Sequence, residues 1–120
     1  MSLYDFIVEA VPVLVYKHMV MGRKLKVCSG IAPDFTEVAA AYGFEAYTVR
    51  KPGHVVNVVV SFGRVFEIDL SAIQFRLCGW EGDDEYDESL SRLLDIVNDD
   101  PFAAIEVREL DEVPFDAEGP

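Results

Sequence analysis

The chain of 120 residues is 51% hydrophobic and carries a net charge of −12, and this length suits one compact core, so we expect a single domain over residues 1–120. No apolar stretch approaches the roughly 20 residues that cross a bilayer, so we expect no membrane partner and a cytoplasmic location. Fifteen acidic residues lie within 81–120 while the rest of the chain is nearly neutral, and this balance disfavours nucleic acid, whose phosphates are also negative.

The first predicted element is a short helix at the amino-terminal end. Ser2 with Asp5 three residues later forms a capping-box pattern, and apolar residues then recur at helical spacing over residues 3–11. We expect Pro12 to limit this helix, because proline lacks the N–H that a helical hydrogen bond needs. The apolar run at 13–21 is nearly continuous, so its periodicity leaves helix and strand open.

The clearest helical pattern runs from about Ser29 to Tyr42. Its apolar side is formed by Ile31, Phe35, Val38, Ala39 and Tyr42. Gly43 follows at the position where a helix commonly ends with a residue in the left-handed conformation. We therefore expect this helix to end before Gly43.

A β-hairpin is predicted in the middle of the sequence. Residues 44–50 alternate loosely as a strand, residues 51–53 form a turn, and residues 54–71 contain two arms rich in valine, isoleucine and phenylalanine. The only turn chemistry between the arms lies at 61–64, where Gly63 can take a positive φ without Cβ strain. Because valines occupy both faces, we expect three consecutive strands that are covered on both sides.

The acidic third of the chain, residues 81–120, is predicted to be mainly solvated surface. Residues 83–88 are predicted to be a loop, and residues 90–97 an amphipathic helix that covers the hairpin. A short edge strand is expected at 103–107. The last six residues are expected to be frayed.

Three polar residues in this arrangement suggest a catalytic site. Antiparallel pairing about the hairpin turn brings His54 and Asp69 to neighbouring positions, so that a carboxylate can orient an imidazole. Cys28 lies just before a predicted helix, whose N-terminus together with an imidazolium would favour the thiolate. The predicted roles are nucleophile for Cys28, base for His54 and orienting acid for Asp69. Cys78 is expected to be a buried free thiol.

Residues 28–71 resemble bacterial transglutaminase-like proteins of the papain-like cysteine-peptidase superfamily. The stretch CSGIAPDFTEVAAAYGFEAYTV is similar to the nucleophile helix and following strand of that family. The stretch HVVNVVVSFGRVFEIDLS is similar to its hairpin, with matches at His54, Asn57, Gly63, Phe66, Asp69 and Ser71. The resemblance implies an α+β, minimal papain-like fold in which the nucleophile helix packs on an antiparallel sheet.

The same resemblance implies a cysteine-dependent amide hydrolase or acyl transferase with Cys28 as nucleophile, His54 as general base and Asp69 as orienting acid. A protease, a deamidase and a cross-linking enzyme are all consistent with the resemblance. The substrate would be a protein, a peptide or a small amide. A catalytically silent protein-binding module of the same fold is the alternative. We expect no cofactor and no metal, because His18, predicted to be at least half-exposed, has no second ligand at a metal-binding offset.

Overall fold

The computed structural model describes residues 1–25, 30–77 and 84–120, and it combines helices with one antiparallel sheet. The helices are α1 (Leu3–Leu25), α2 (Ile31–Ala41), α3 (Ser71–Leu77) and α4 (Asp84–Asp99), with a 3₁₀ turn at Pro101–Ala104. The strands are β1 (Glu45–Lys51), β2 (His54–Ser61), β3 (Arg64–Asp69) and β4 (Glu106–Leu110). The predicted α+β class is therefore confirmed. Among the described helices, none has the length and apolar character needed to span a bilayer.

The first helix is longer than the sequence predicts. The hydroxyl of Ser2 accepts a hydrogen bond from the N–H of Asp5 at 3.1 Å, as the capping pattern predicts. The expectation that Pro12 limits the helix is wrong, because α1 continues to Leu25. Its buried stripe continues unbroken past the proline through Phe6, Ile7, Ala10, Val11, Leu14, Val15 and His18. Burial of this stripe outweighs the cost of about 3 kcal/mol for a proline inside a helix.

The second helix joins α1 to the sheet. Ile31, Phe35 and Ala39 are fully buried along one side of α2. The ring of Phe35 meets the ring of Phe6 from α1 edge to face, with centroids 5.4 Å apart. The helix ends at Ala41, and Gly43 follows with a φ of 94°, as predicted.

The predicted three-strand unit is confirmed, and a fourth strand extends it to the order β1-β2-β3-β4. Residues 45–51 form the strand that the sequence places at 44–50. Between β2 and β3, Ser61 lies opposite Arg64 and leaves a two-residue turn. Phe62 and Gly63 in this turn have φ values of 51° and 75°. Two positive φ angles give the mirror-image turn whose twist matches that of the flanking strands.

Each face of the sheet is covered by a different part of the chain. Ala46 and Val59 are paired across β1 and β2 and face the main core with α1 and α2. Val49, Val56 and Val58 are buried on the opposite face in a separate cluster. The expectation that both faces are covered is therefore confirmed.

The second face of the sheet is covered by residues near the C-terminus. Leu110 at the end of β4 and Ala117 pack against the valine cluster, so this cover comes from the C-terminal segment. The amphipathic helix predicted at 90–97 forms as part of α4, but its Leu90 and Leu93 belong to the main core. This core also contains Val59 and Ile68 of the hairpin, so the helix packs on the first face of the hairpin and not on the face of the valine cluster.

Three further expectations for the acidic third need correction. The loop predicted at 83–88 is wrong over residues 84–88, because α4 already begins at Asp84 and the burial of Leu90, Leu93 and Val97 stabilises this helix. The edge strand lies at 106–110, three residues later than predicted. The C-terminal end is not frayed, since Thr48 and Glu118 exchange two backbone hydrogen bonds of 2.8 and 2.9 Å.

Candidate functional site

His54 and Asp69 lie side by side at one end of the hairpin. His54 is the first residue of β2, and Asp69 is the last residue of β3. Nε2 of His54 and Oδ2 of Asp69 are 3.1 Å apart, which is hydrogen-bond distance. Their side chains are 37% and 20% exposed. The pair is therefore fixed by the sheet and still open to a substrate.

Ser71 binds both members of the pair. Its backbone N–H donates to Oδ1 of Asp69 at 2.8 Å. Its Oγ lies 3.0 Å from Nδ1 of His54. Both carboxylate oxygens and both ring nitrogens therefore have partners, so the orientation of each side chain is fixed.

The surroundings of Asp69 keep its carboxyl ionised. Partial burial acts to raise the pKa of Asp69, but hydrogen bonds from the hydroxyl and N–H of Ser71, together with His54, outweigh it and lower that pKa. An ionised carboxylate only accepts hydrogen bonds, so in a neutral ring Nε2 of His54 must carry the proton. The lone pair is then on Nδ1, and this nitrogen can act as a base.

A buried amide fixes the first turn of α2 to β2. Nδ2 of Asn57 donates to the carbonyl oxygen of Ala32 at 2.7 Å and to Oγ1 of Thr36 at 2.8 Å. Asn57 is 1% exposed, and hydrogen bonds are stronger in such a dry environment. Asn57 comes three residues after His54, and Ala32 comes four residues after Cys28. This contact therefore joins the segment that follows His54 to the segment that follows Cys28.

Cys28 lies outside the described residues, so its role as nucleophile stays a prediction. Gly30 provides the N-cap of α2. Of the three predicted catalytic residues, the structure brings His54 and Asp69 together and adds Ser71. Cys78 is also outside the described residues.

Sequence reasoning gave no role to Ser71 and misjudged His18. An Asp-x-Ser pattern between a strand and a helix is typical of a side chain that caps backbone N–H groups. This pattern in the sequence indicates the contact between Asp69 and the N–H of Ser71. His18 is only 8% exposed. Its Nε2 lies 2.8 Å from Oδ2 of Asp34 in the first turn of α2. Its position on the buried stripe of α1 could have been found by continuing the helical spacing past the proline.

A cavity of about 290 Å³ adjoins the His54–Asp69 pair. Its walls are formed by Asp69, Ser71, Ala72, Ala103, Ala104, Ile105 and Glu106. Most of these side chains are small, so the cavity has room for a short acyl group or a small side chain next to the polar site. Among residues 1–25, 30–77 and 84–120, no three potential ligands from His, Cys, Asp and Glu are grouped to hold a metal ion.

Comparisons of the chain with protein-family models, with curated proteins and with solved structures gave no match. The resemblance to transglutaminase-like proteins therefore rests on the sequence of residues 28–71 alone. The geometry of His54, Asp69 and Ser71 is independent of that resemblance.

The contacts of Asp34 predict how stability depends on pH. Burial acts to raise the pKa of Asp34, but hydrogen bonds from His18 and Lys17 outweigh it and lower that pKa. Because the pKa is lower in the folded state, the stabilisation is complete above the ordinary carboxyl value of about 4 and is lost as pH falls through the folded-state value. We expect the free energy of unfolding in urea to fall below about pH 4, and to fall less steeply in Asp34→Asn.

Asp95, an exposed residue of α4, provides the matched control. Asp95→Asn should retain the pH dependence of the unmodified protein. An Asp34→Asn variant with the same slope as the unmodified protein would show that this contact does not contribute.

Proposed function

We propose that the chain is a papain-like, cysteine-dependent amide hydrolase or acyl transferase that acts through a thioester on Cys28. The observation that carries this proposal is the hydrogen bond between His54 and Asp69, which leaves the lone pair of the imidazole on Nδ1, the nitrogen that Oγ of Ser71 also faces at 3.0 Å. A nucleophilic thiol needs such a base beside it, with an acid that fixes the tautomer of the ring.

The contact between Asn57 and Ala32 supports the assignment of Cys28. It binds the first turn of α2 to the strand that begins with His54. A cysteine just before this helix would gain from the partial positive charge of the helix N-terminus, which favours the thiolate. Of the two cysteines in the sequence, Cys28 is the one that shortly precedes α2.

The chemical steps follow from these roles. Nδ1 of His54 takes the proton of the Cys28 thiol, and the sulfur attacks the carbonyl carbon of an amide. The tetrahedral intermediate collapses, the C–N bond breaks, and His54 returns the proton to the leaving amine. Water or an amine then attacks the thioester, which releases an acid or a new amide and regenerates the thiol.

The substrate class follows from the access to the site. The pair is partly exposed and adjoins a cavity of about 290 Å³. A flexible side chain or a backbone segment of a protein or peptide can approach such a site, and so can a small amide. We therefore retain all three as substrates of the proposed reaction.

Alkylation of Cys28 by iodoacetamide tests the proposal. At about pH 6 an ordinary thiol is almost fully protonated and reacts slowly. We expect Cys28, identified by peptide mass spectrometry, to react at least about 10 times faster than a model thiol, because His54 holds the thiolate. We expect His54→Ala to abolish this excess.

His18→Gln is the matched control, because it removes the other histidine of the chain and keeps a hydrogen-bonding side chain. It should leave the excess reactivity of Cys28 in place. If Cys28 reacts like a model thiol in the unmodified protein, the proposal fails and the catalytically silent binding module is favoured.

A further inference from the structure

Among the described residues, the hydrogen bonds around His54 form a continuous chain from a hydroxyl through the imidazole to a carboxylate. Oγ of Ser71 lies 3.0 Å from Nδ1 of His54, and Nε2 of the same ring lies 3.1 Å from Oδ2 of Asp69. This is the order of hydroxyl, imidazole and carboxylate that activates a serine nucleophile. All three residues lie within the described part of the chain.

We propose that Ser71 is itself a nucleophile and that the protein hydrolyses short-chain esters through an acyl group on Ser71. This activity uses His54 and Asp69 but does not need Cys28. It therefore goes beyond the amide chemistry proposed above and can hold or fail independently of it.

The proton of the Ser71 hydroxyl has two acceptors within reach, the imidazole and the carboxylate. Hydrogen bonds from Ser71 contribute to the lowered pKa of Asp69, so this carboxylate is a weak base. An imidazole nitrogen is a considerably stronger base than a carboxylate. Nδ1 of His54 is consequently the group that takes the proton when Oγ attacks.

The position of Ser71 allows a substrate to reach it. Ser71 lines the cavity of about 290 Å³ together with Ala72, Ala103 and Ala104. The methyl groups of these alanines leave space for a small acyl group and none of them carries a charge. Glu106 at the same cavity disfavours anionic esters, so neutral esters are the expected substrates.

The proposed ester hydrolysis takes place in two steps, acylation of Ser71 and hydrolysis of the acyl-serine. Oγ of Ser71 bonds to the ester carbonyl carbon while its proton moves to Nδ1 of His54. The C–O bond to the leaving group then breaks, and the alcohol departs with that proton. Water attacks the acyl-serine with His54 again as base, which releases the carboxylic acid and restores the hydroxyl.

A fluorophosphonate probe tests this proposal on the unmodified protein. In the labelling step Oγ of a nucleophilic serine bonds to phosphorus and fluoride leaves, so a stable adduct marks the residue. We expect peptide mass spectrometry to find the adduct on Ser71. We expect His54→Ala to slow its formation on the order of 100-fold, the contribution typical of a general base.

Ser91→Ala, which removes an exposed serine of α4, is the matched control and should be labelled at the unmodified rate. Hydrolysis of p-nitrophenyl acetate should persist in Cys28→Ala and be lost when Ser71→Ala is added, with circular dichroism as the check that this variant is folded. The proposal is overturned if the unmodified protein forms no adduct, if the adduct lies on another residue, or if His54→Ala is labelled equally fast. Because the adduct is located on the unmodified protein, these outcomes do not depend on how Ser71→Ala folds.

Alkylation of Cys28 in the same preparation separates the two proposals. Labelled Ser71 with ordinary Cys28 reactivity supports the esterase and contradicts the cysteine mechanism. Unlabelled Ser71 with fast alkylation of Cys28 contradicts the esterase and supports the cysteine mechanism.

Discussion

Asp69→Asn is expected to slow the alkylation of Cys28 at about pH 6 on the order of 10-fold or more, so that little excess over a model thiol remains. The carboxylate accepts a hydrogen bond from Nε2 of His54 at 3.1 Å. The amide N–H of an asparagine at this position can donate a hydrogen bond to Nε2. Nε2 is then the acceptor and no longer carries a proton. The proton moves to Nδ1, and the ring can no longer take one from the thiol.

The measurement is the rate constant for iodoacetamide at Cys28, read by mass spectrometry. Asp95→Asn makes the same change on the exposed side of α4 and should not affect that rate. An Asp69→Asn variant that reacts as fast as the unmodified protein would show that Asp69 does not orient the base.

Asn57→Ala is expected to lower the free energy of unfolding by about 2–4 kcal/mol. The substitution removes two buried hydrogen bonds, to the carbonyl of Ala32 and to the hydroxyl of Thr36, and leaves a void at a site that is 1% exposed. It also releases the first turn of α2 from β2. We therefore expect the excess reactivity of Cys28 to fall in parallel.

Urea unfolding measures the first effect, and alkylation under native conditions measures the second. Asn98→Ala is the matched control, since Asn98 is exposed near the end of α4, and it should change the free energy by less than about 0.5 kcal/mol. A loss of stability without any loss of Cys28 reactivity would separate the Asn57 contact from the catalytic site.

The hairpin could be predicted from the sequence because its signals are local. Alternating β-branched residues define the arms, and one glycine at 63 defines the turn, so the register follows from counting residues. That register alone brings His54 and Asp69 to the same end of the sheet. Helix α2 was predictable for the same reason, since its apolar spacing and Gly43 lie within one short segment.

The elements that could not be predicted from the sequence are those whose formation depends on long-range packing. Pro12 is a local signal against a helix, but the buried stripe of α1 on either side of it gains more from the core than the proline costs. The residues that follow β4 contain no strand pattern of their own. They are held because Ala117 packs on the valine cluster and Glu118 pairs with Thr48, contacts that join residues about 70 positions apart.

The polar contacts around the site were also beyond local reasoning. The sequence pattern gives Ser71 and Asn57 their positions in the hairpin motif, but not their partners. The bond of Asn57 to Ala32 depends on how α2 crosses the sheet, and the bond of Ser71 to His54 depends on where the chain turns after β3. Such contacts require the tertiary arrangement, which is why the contact of Ser71 with His54 emerged only from the structure.

The most direct test of the account is a titration of the Cys28 thiolate by its ultraviolet absorbance, assigned by the difference from Cys28→Ser. With the sulfur beside His54, we expect the thiolate signal to be present below pH 7, well under the value of about 8.5 for an ordinary thiol, and we expect His54→Ala to remove it. A Cys28 signal that appears only near that ordinary value, unchanged by His54→Ala, would contradict the proposed thiolate–imidazolium pair.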